Sequence, residues 1–375
     1  FYTLHAISTM VFDKVAYKNV ISNGLVLDKN GQKMSKRLGN GVEPFENLST
    51  YGADATRWYM ITNAQPWDNL KFDNDGIIET SRKFFGTLQN TYSFFSLYAN
   101  LDGFDYSKGN IPLENRTESD RWVISKLNSL VAEVDAAFNE YEPTRAGRLI
   151  QNYVMDDLSN WYVRLNRKRF WIGDYTDDKR AAYQTLYTCL ETVSKLMSPI
   201  APFYADKLFR DLNAVTGFDK SESVHLAQFP ISDKLVIDKT LEERMGYAQT
   251  ISSLVHSLRK KEKIKVRQPL QKVMIPSIGD AFKTQVLAIE DLIKSEVNIK
   301  EISFIEDGDD NALVKNIKPN FAKLGRVFGK QMKLVAAEIG KFGQDEIQKI
   351  ESDGTIEITL EGEKVRLALD DVEIQ

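Results

Sequence analysis

Cysteine and histidine are scarce: 375 residues carry one cysteine, Cys189, and three histidines, His5, His225 and His256. A lone thiol forms no internal disulfide, and a Cys-based structural zinc site cannot be assembled from it. A reduced, cytoplasmic setting is therefore expected, with no metal ligands assigned. No run approaches the roughly 18 apolar residues of a membrane-spanning helix, and no basic-then-apolar leader opens the sequence. Neither G-x-x-x-x-G-K-[ST] nor G-x-G-x-x-G occurs, which disfavours a P-loop nucleotidase or a dinucleotide enzyme. Positive charge is not in surplus. With 49 Lys and Arg against 53 Asp and Glu, net −4, the balance argues against a whole-surface nucleic-acid coat, so any RNA contact must rest on local basic clusters.

What is present describes a folded protein of two or three domains. Hydrophobic residues make up 42% and charged residues 27%, proportions that exclude a disordered or fibrous chain. The sequence opens Phe1-Tyr2-Thr3-Leu4, without Met and already inside an apolar run, and its start reads as a cut through a longer protein.

The expected architecture is multidomain and mainly α. Residues 1–75 read as mixed α/β, with a short helix over Leu4–Phe12, a strand over Val20–Leu27 interrupted by Gly24, turn chemistry at Asp28-Lys29-Asn30-Gly31, and a helix start at Tyr51–Met60 with Asp54 near its N-terminus. From 76 to 235 the apolar spacing turns helical: Ile77–Leu101, Ser119–Tyr141, a helix opened by Pro143 at its first position, Thr176–Met197, and Phe203–Leu212. Long amphipathic helices joined by modest loops predict an antiparallel bundle, which the chain leaves through an extended segment at Val224–Pro230. Residues 236–375 read as a long helix, Thr240–Lys263, followed by a small α+β domain. Its expected strands are Val273–Ile275, Ile299–Phe304 and Ile356–Leu360, its helices lie near 280–294 and 327–340, and a hairpin turn falls at Glu361-Gly362-Glu363.

The chemistry concentrates in Gly31-Gln32-Lys33-Met34-Ser35-Lys36-Arg37-Leu38-Gly39-Asn40. Three cations, Lys33, Lys36 and Arg37, stand on a glycine-framed loop just after a strand, the position where open α/β sheets bind ligands. Flexible cations there suit a polyphosphate whose oxygens gain charge in the transition state. By charge alone a solvated basic loop would be the preferred reading of the segment.

The wording of the segment goes further. Lys33-Met34-Ser35-Lys36-Arg37 closely resembles the KMSKS signature of class I aminoacyl-tRNA synthetases, departing only where Arg37 replaces the final Ser. Asn19–Leu27, Tyr51–Ala55, Asp157–Arg164, Asn166–Trp171 and Ile264–Leu270 resemble the isoleucyl branch of that class, in its eukaryotic-like subtype, so the likeness spans about residues 1–340. The resemblance implies that 1–75 is the C-terminal piece of a Rossmann-type catalytic nucleotide-binding domain, 76–235 an anticodon-binding helix bundle, and 236–375 a C-terminal appendage. It implies that Lys36 contacts ATP phosphates and stabilises pyrophosphate, that Lys33 helps close the loop, and that Met34 and Ser35 shape it, with Arg37 an added phosphate contact or a surface charge. The implied partners are ATP with Mg²⁺, L-isoleucine and isoleucine tRNA. The family's His-x-Gly-His element is absent, so the fragment alone is expected to be inactive, with the amino-acid pocket and editing region lying in missing N-terminal parts. The alternatives are a valyl or leucyl relative, or a non-catalytic tRNA-binding module.

Two basic stretches are the RNA-facing candidates. Asn160–Trp171 sets Arg164, Arg167, Lys168 and Arg169 among Trp161, Tyr162, Phe170 and Trp171 with no acid; cations contact phosphate and aromatic faces, with Trp171 the candidate here, stack unpaired bases. Trp161 continues a buried stripe and reads as core. Arg259, Lys260, Lys261 and Lys263, with Lys265 and Arg267, place six cations against one acid in nine residues, a candidate backbone footprint. Each stretch also reads as an ordinary solvated helix end.

Overall fold

In the computed structural model, residues 1–106, 108–305, 316–360 and 363–374 are described. Helices dominate, and the chain divides into two compact units, Phe1–Thr250 and Ile251–Gln375.

The first unit opens with the helix Tyr2–Phe12, none of whose residues is buried. The strand expected over Val20–Leu27 shrinks to Val26–Leu27, paired in parallel with the equally short Leu70–Lys71. The reason is local. Gly24 N–H donates to the Pro66 carbonyl and Leu25 N–H to the Asn69 side chain, so this stretch bonds to a loop rather than to a strand. Gly24 is required there: a Cβ on it would stand 2.1 Å from the Asp68 carbonyl oxygen. The helix Ala53–Asn63 follows, with Trp58 and Tyr59 in the core. Its Tyr59 hydroxyl donates to the Lys71 carbonyl and accepts from Asp73 N–H, tying helix to strand.

The helical region begins with the run Asn74–Leu101, whose middle turn, Ser81–Phe85, is of the wider π type. Glu118–Asn139 starts at a reciprocal cap between Thr117 and Asp120, a device that stabilises a helix end by about 1 kcal/mol. Pro143 opens a second continuous run to Trp171, again with a π-type stretch, Tyr153–Val163. Asp177–Met197 begins at a Thr176 cap and buries most of its residues, and Pro202–Thr216 follows. The N-terminal segment is fastened to these helices by polar bonds to backbone. Asp54 accepts from Tyr204 N–H in the first turn of Pro202–Thr216, Arg57 donates to the carbonyls of Pro199 and Ile200, and Thr144 donates to those of Ile61 and Ala64. Val224–Pro230 is turn and irregular backbone. The long helix is Lys239–Lys261, and in its first turn Glu242 accepts from the hydroxyls of Ser125 and Ser129 at 2.6 and 2.7 Å.

In the second unit, Leu270–Pro276 and Ile299–Ile305 pair in parallel, with Leu270 opposite Ile299. The crossover between them holds two helices, Asp280–Ala288 and Glu290–Val297, as parallel pairing requires. Farther on, Thr355–Leu360 pairs antiparallel with Glu363–Ala368, and Ile317–Pro319 with Val372–Ile374. The helix expected near 327–340 is two, Phe321–Phe328 and Met332–Ile339. Val335, Ile339, Ile350, Ile356, Ile358 and Leu367 share one apolar core. Of the expected hairpin turn, Glu361 and Gly362 lie outside the described residues.

Candidate functional site

The loop after Val26–Leu27 is built on two short polar side chains. Asp28 Oδ1 accepts from the backbone N–H of Asn30 and Gln32, at 2.9 and 2.8 Å, closing the first turn. Its other oxygen accepts from Asn40 Nδ2 at 2.9 Å, across twelve residues. These bonds, led by the one from Asn40, hold the Asp28 carboxyl below its ordinary value. Gly31 and Gly39 adopt left-handed backbone, φ 84° and 62°, a conformation that suits glycine. Ser35 caps a single 3₁₀ turn, Lys36–Leu38, its hydroxyl accepting from Leu38 N–H.

Met34 is half-buried against the cluster of Ala55, Tyr59, Leu70, Phe72 and Ile77. Lys33, Lys36 and Arg37 are exposed, and among the described residues their side chains hold no hydrogen bond or ion pair. The turn is thus anchored by an apolar residue and carries three uncommitted cations. Lys71, which sequence reasoning passed over, adds a fourth at the base: a Cβ on Gly31 would lie 3.2 Å from its Cε and 3.8 Å from its Nζ. Such an array presents movable positive charge on a fixed backbone to an anion with several oxygens.

The first basic stretch divides sharply. Arg167 and Lys168 are exposed on the helix Arg164–Trp171, and Trp171 is 47% exposed. Arg164 is exposed too, its Nε donating to the Asn160 carbonyl and its guanidinium lying over the Trp161 ring. Trp161 itself is buried. Arg169, expected among the phosphate contacts, turns inward instead. Its guanidinium grips the fully buried Asp120 through two bonds of 3.0 and 2.8 Å and grips Asp178 as well. Tyr162 and Thr117 hydroxyls also donate to Asp120. A guanidinium committed to two carboxylates is not free to neutralise RNA. Aspartates 49 residues upstream and 9 residues downstream of Arg169 gave no signal in a local reading of the charge pattern.

The second stretch contains a similar correction. Lys260, Lys261 and Lys263 are exposed, but Arg259 is only 3% exposed. Its Nη1 donates to the carbonyls of Lys265 and Gln268 and its Nη2 to those of Val297 and Asn298, at 2.8–3.2 Å. Arg259 therefore clips the loop after the long helix to the end of Glu290–Val297.

Among the described residues, no three His, Cys, Asp or Glu side chains gather as a metal site, and no helix is long and apolar enough to cross a membrane.

Two family descriptions match this chain: tRNA synthetases class I (I, L, M and V) over residues 1–73, and the anticodon-binding domain of tRNA ligase over 120–275. The first covers the pinned loop and the second both basic stretches. The chain belongs to the class I tRNA synthetase family. Within that class its similarity is to isoleucine--tRNA ligases. That of Cytophaga hutchinsonii is 61% identical over the whole of this chain and 34% of its own length, and that of Bacteroides fragilis 60% identical over the whole chain and 33% of its length. That of Clostridium acetobutylicum is 40% identical over 98% of the chain and 35% of its length. The chain thus spans about a third of the curated relatives it matches. Among solved structures, the ternary complex of Agrobacterium radiobacter K84 LeuRS with tRNA and LeuAMS overlaps 63% of this chain and 28% of that one, at 17% identity and a TM-score of 0.48.

Proposed function

We propose that this chain is the C-terminal part of an isoleucine--tRNA ligase, a cytoplasmic enzyme that activates L-isoleucine with ATP and transfers it to isoleucine tRNA. In that reading 1–75 completes the nucleotide-binding catalytic domain, 76–235 is the anticodon-binding bundle, and 236–375 is the long helix with its α+β appendage. The observation that carries it is the pinned loop: three exposed cations, unpartnered among the described residues, on a turn held by Asp28, Asn40 and Met34, in a chain that resembles isoleucine--tRNA ligases throughout.

The chemistry follows from the charges. When the amino-acid carboxylate attacks the α-phosphorus of ATP, negative charge builds on the departing pyrophosphate. Lys36 and Lys33, reaching from the turn, stabilise that charge more in the transition state than in bound ATP, which is what lowers the barrier. Arg37 supplies a further donor on the same turn. Mg²⁺ enters with ATP as part of the substrate. Arg164, Arg167, Lys168 and Trp171, with Lys260, Lys261 and Lys263, supply the tRNA contacts; Arg169 and Arg259 serve the fold.

The test is adenylate formation by the full-length ligase carrying Lys36→Ala, set beside tRNA binding by the same variant. A large loss of adenylate formation with tRNA affinity unchanged supports the loop assignment, and equal losses in both overturn it. Binding of this chain to isoleucine tRNA, with anticodon-altered and valine tRNAs as controls, tests the second half. Preference for the isoleucine anticodon supports it, and indifferent binding refutes anticodon reading by these residues.

A further inference from the structure

The shape of the cationic loop depends on one side chain that carries no charge. Asn40 Nδ2 donates to Asp28 Oδ2 at 2.9 Å and to the Lys33 carbonyl at 3.3 Å, while its Oδ1 accepts from Ser35 N–H at 2.9 Å. One amide thereby touches the start of the loop, the backbone of the first lysine and the residue that caps the turn bearing the second. Asp28 backs it, its remaining oxygen fixed by Asn30 and Gln32 N–H. A two-residue strand, the Leu27–Lys33 bridge, the Asp28 N–H bond to the Gln32 carbonyl, the Ser35 cap and half-buried Met34 also hold this segment, but Asn40 is the side chain that bonds both the Lys33 carbonyl and the Ser35 N–H, and so links the backbone of Lys33 to the turn that carries Lys36.

We propose that Asn40, braced by Asp28, is a positioning residue: it fixes the backbone from which Lys33 and Lys36 reach, and it acts on the transition state of adenylate formation more than on ATP binding. The proposal rests on the phosphate-loop reading above. Lysine ammoniums on flexible stems reach ground-state ATP from many backbone positions, but stabilising a departing pyrophosphate requires them within tenths of an ångström of a defined place. Loss of the clamp therefore falls on kcat. The loop is at the surface, so its hydrogen bonds add little to global stability.

The donor–acceptor pattern permits a rescue. Asn40→Asp sets two carboxylates face to face, and Asp28→Asn sets two amide donors face to face. In the double variant the amide now at position 28 donates to the carboxylate now at position 40. That carboxylate still accepts from Ser35 N–H, and the amide oxygen at position 28 still accepts from Asn30 and Gln32 N–H. The 3.3 Å bond to the Lys33 carbonyl is lost, and a carboxylate oxygen faces that carbonyl where the amide donor stood. In the full-length ligase, Asn40→Ala and each single exchange are expected to lower kcat for adenylate formation by about tenfold or more with KM for ATP within about threefold, as misplacement of a catalytic group does. The double exchange should return kcat to within about threefold of the parent, since it restores all but the weakest bond. Thermal unfolding and tRNA binding should be unchanged throughout. Single variants at parental kcat, a loss confined to KM, or a double variant no better than the worse single would overturn the clamp. Lys36→Ala in the same assay separates the two ideas. If it slows adenylate formation while Asn40→Ala does not, the clamp alone is wrong. If Lys36→Ala has no effect, the loop assignment is wrong and the clamp falls with it.

Discussion

Replacing Arg169 by methionine tests the reassignment of this residue from RNA surface to fold. The carboxylate of Asp120 is fully buried and receives Arg169 at 3.0 and 2.8 Å, the Tyr162 hydroxyl at 2.5 Å, and Thr117 through its hydroxyl at 2.7 Å and its N–H at 3.3 Å. Methionine keeps much of the stem but removes the two charged donors, leaving a buried anion. Breaking a buried pair in this way costs about 3–5 kcal/mol. The Asp178 half of the network contributes little, because that carboxylate is 54% exposed. All five tryptophans lie before residue 172, so their fluorescence reports on the first unit. With a urea slope of about 3 kcal/mol per molar for a unit of this size, the midpoint should fall by about 1–1.7 M at neutral pH.

The pH dependence has a definite sign. Burial pushes the Asp120 carboxyl up, but the hydrogen bonds and charge of Arg169 outweigh it, and the folded value lies below the usual 3.8. Stability from this group is therefore complete above about pH 4, the unfolded value, and is lost as pH falls through the lowered folded value. In the variant only the Tyr162 and Thr117 hydrogen bonds are left to offset burial and the carboxyl rises, so acid neutralises the stranded charge. The gap between parent and variant should be widest at neutral pH and should close on acidification. A midpoint shift below about 0.3 M at about pH 7.5, or a gap that widens at about pH 4.5, refutes the reasoning.

Other consequences follow from the same geometry. Lys36→Ala in the full-length ligase should slow adenylate formation by about 10²–10³-fold, the effect of removing one preorganised charge-stabilising donor, as read by pyrophosphate exchange. Reversing the charges of Arg167 and Lys168 together should weaken tRNA binding and flatten the slope of log affinity against log salt by about 1.4–1.8, from two lost phosphate contacts. Arg259→Ala should destabilise the second unit by about 2–4 kcal/mol, because four carbonyls lose a charged donor; denaturation read by hydrogen exchange in Leu270–Pro276 and Ile299–Ile305 checks it. Gly24→Ala should disrupt the strand pair at Val26–Leu27, since its Cβ would stand 2.1 Å from the Asp68 carbonyl oxygen, and amide exchange at Leu70 and Phe72 reports the loss.

Sequence alone determined where helices begin and to which family the central loop points. Thr117 with Asp120, Thr176, Pro143 and Pro202 are local start signals, and the apolar stripes between them have the helical period, so the observed ends fall within a few residues of those expected. The Lys33–Arg37 wording and its flanking segments were enough to reach the synthetase family. Strand extent was less legible. Val20–Leu27 is apolar enough for a full strand, yet its partner, Leu70–Lys71, offers two residues of ladder, and ladder length is set by the partner. Only tertiary structure decided which cations are free. Arg167 and Arg169 sit two residues apart in one basic run, but a helix turns them to different faces, one to solvent and one onto Asp120. Arg259 and Lys260 diverge for the same reason. Asp28 and Asn40 look like ordinary turn residues until the loop closes and brings them to 2.9 Å. Periodicity is carried by neighbours in sequence. The fate of a charge is decided by what the fold brings against it.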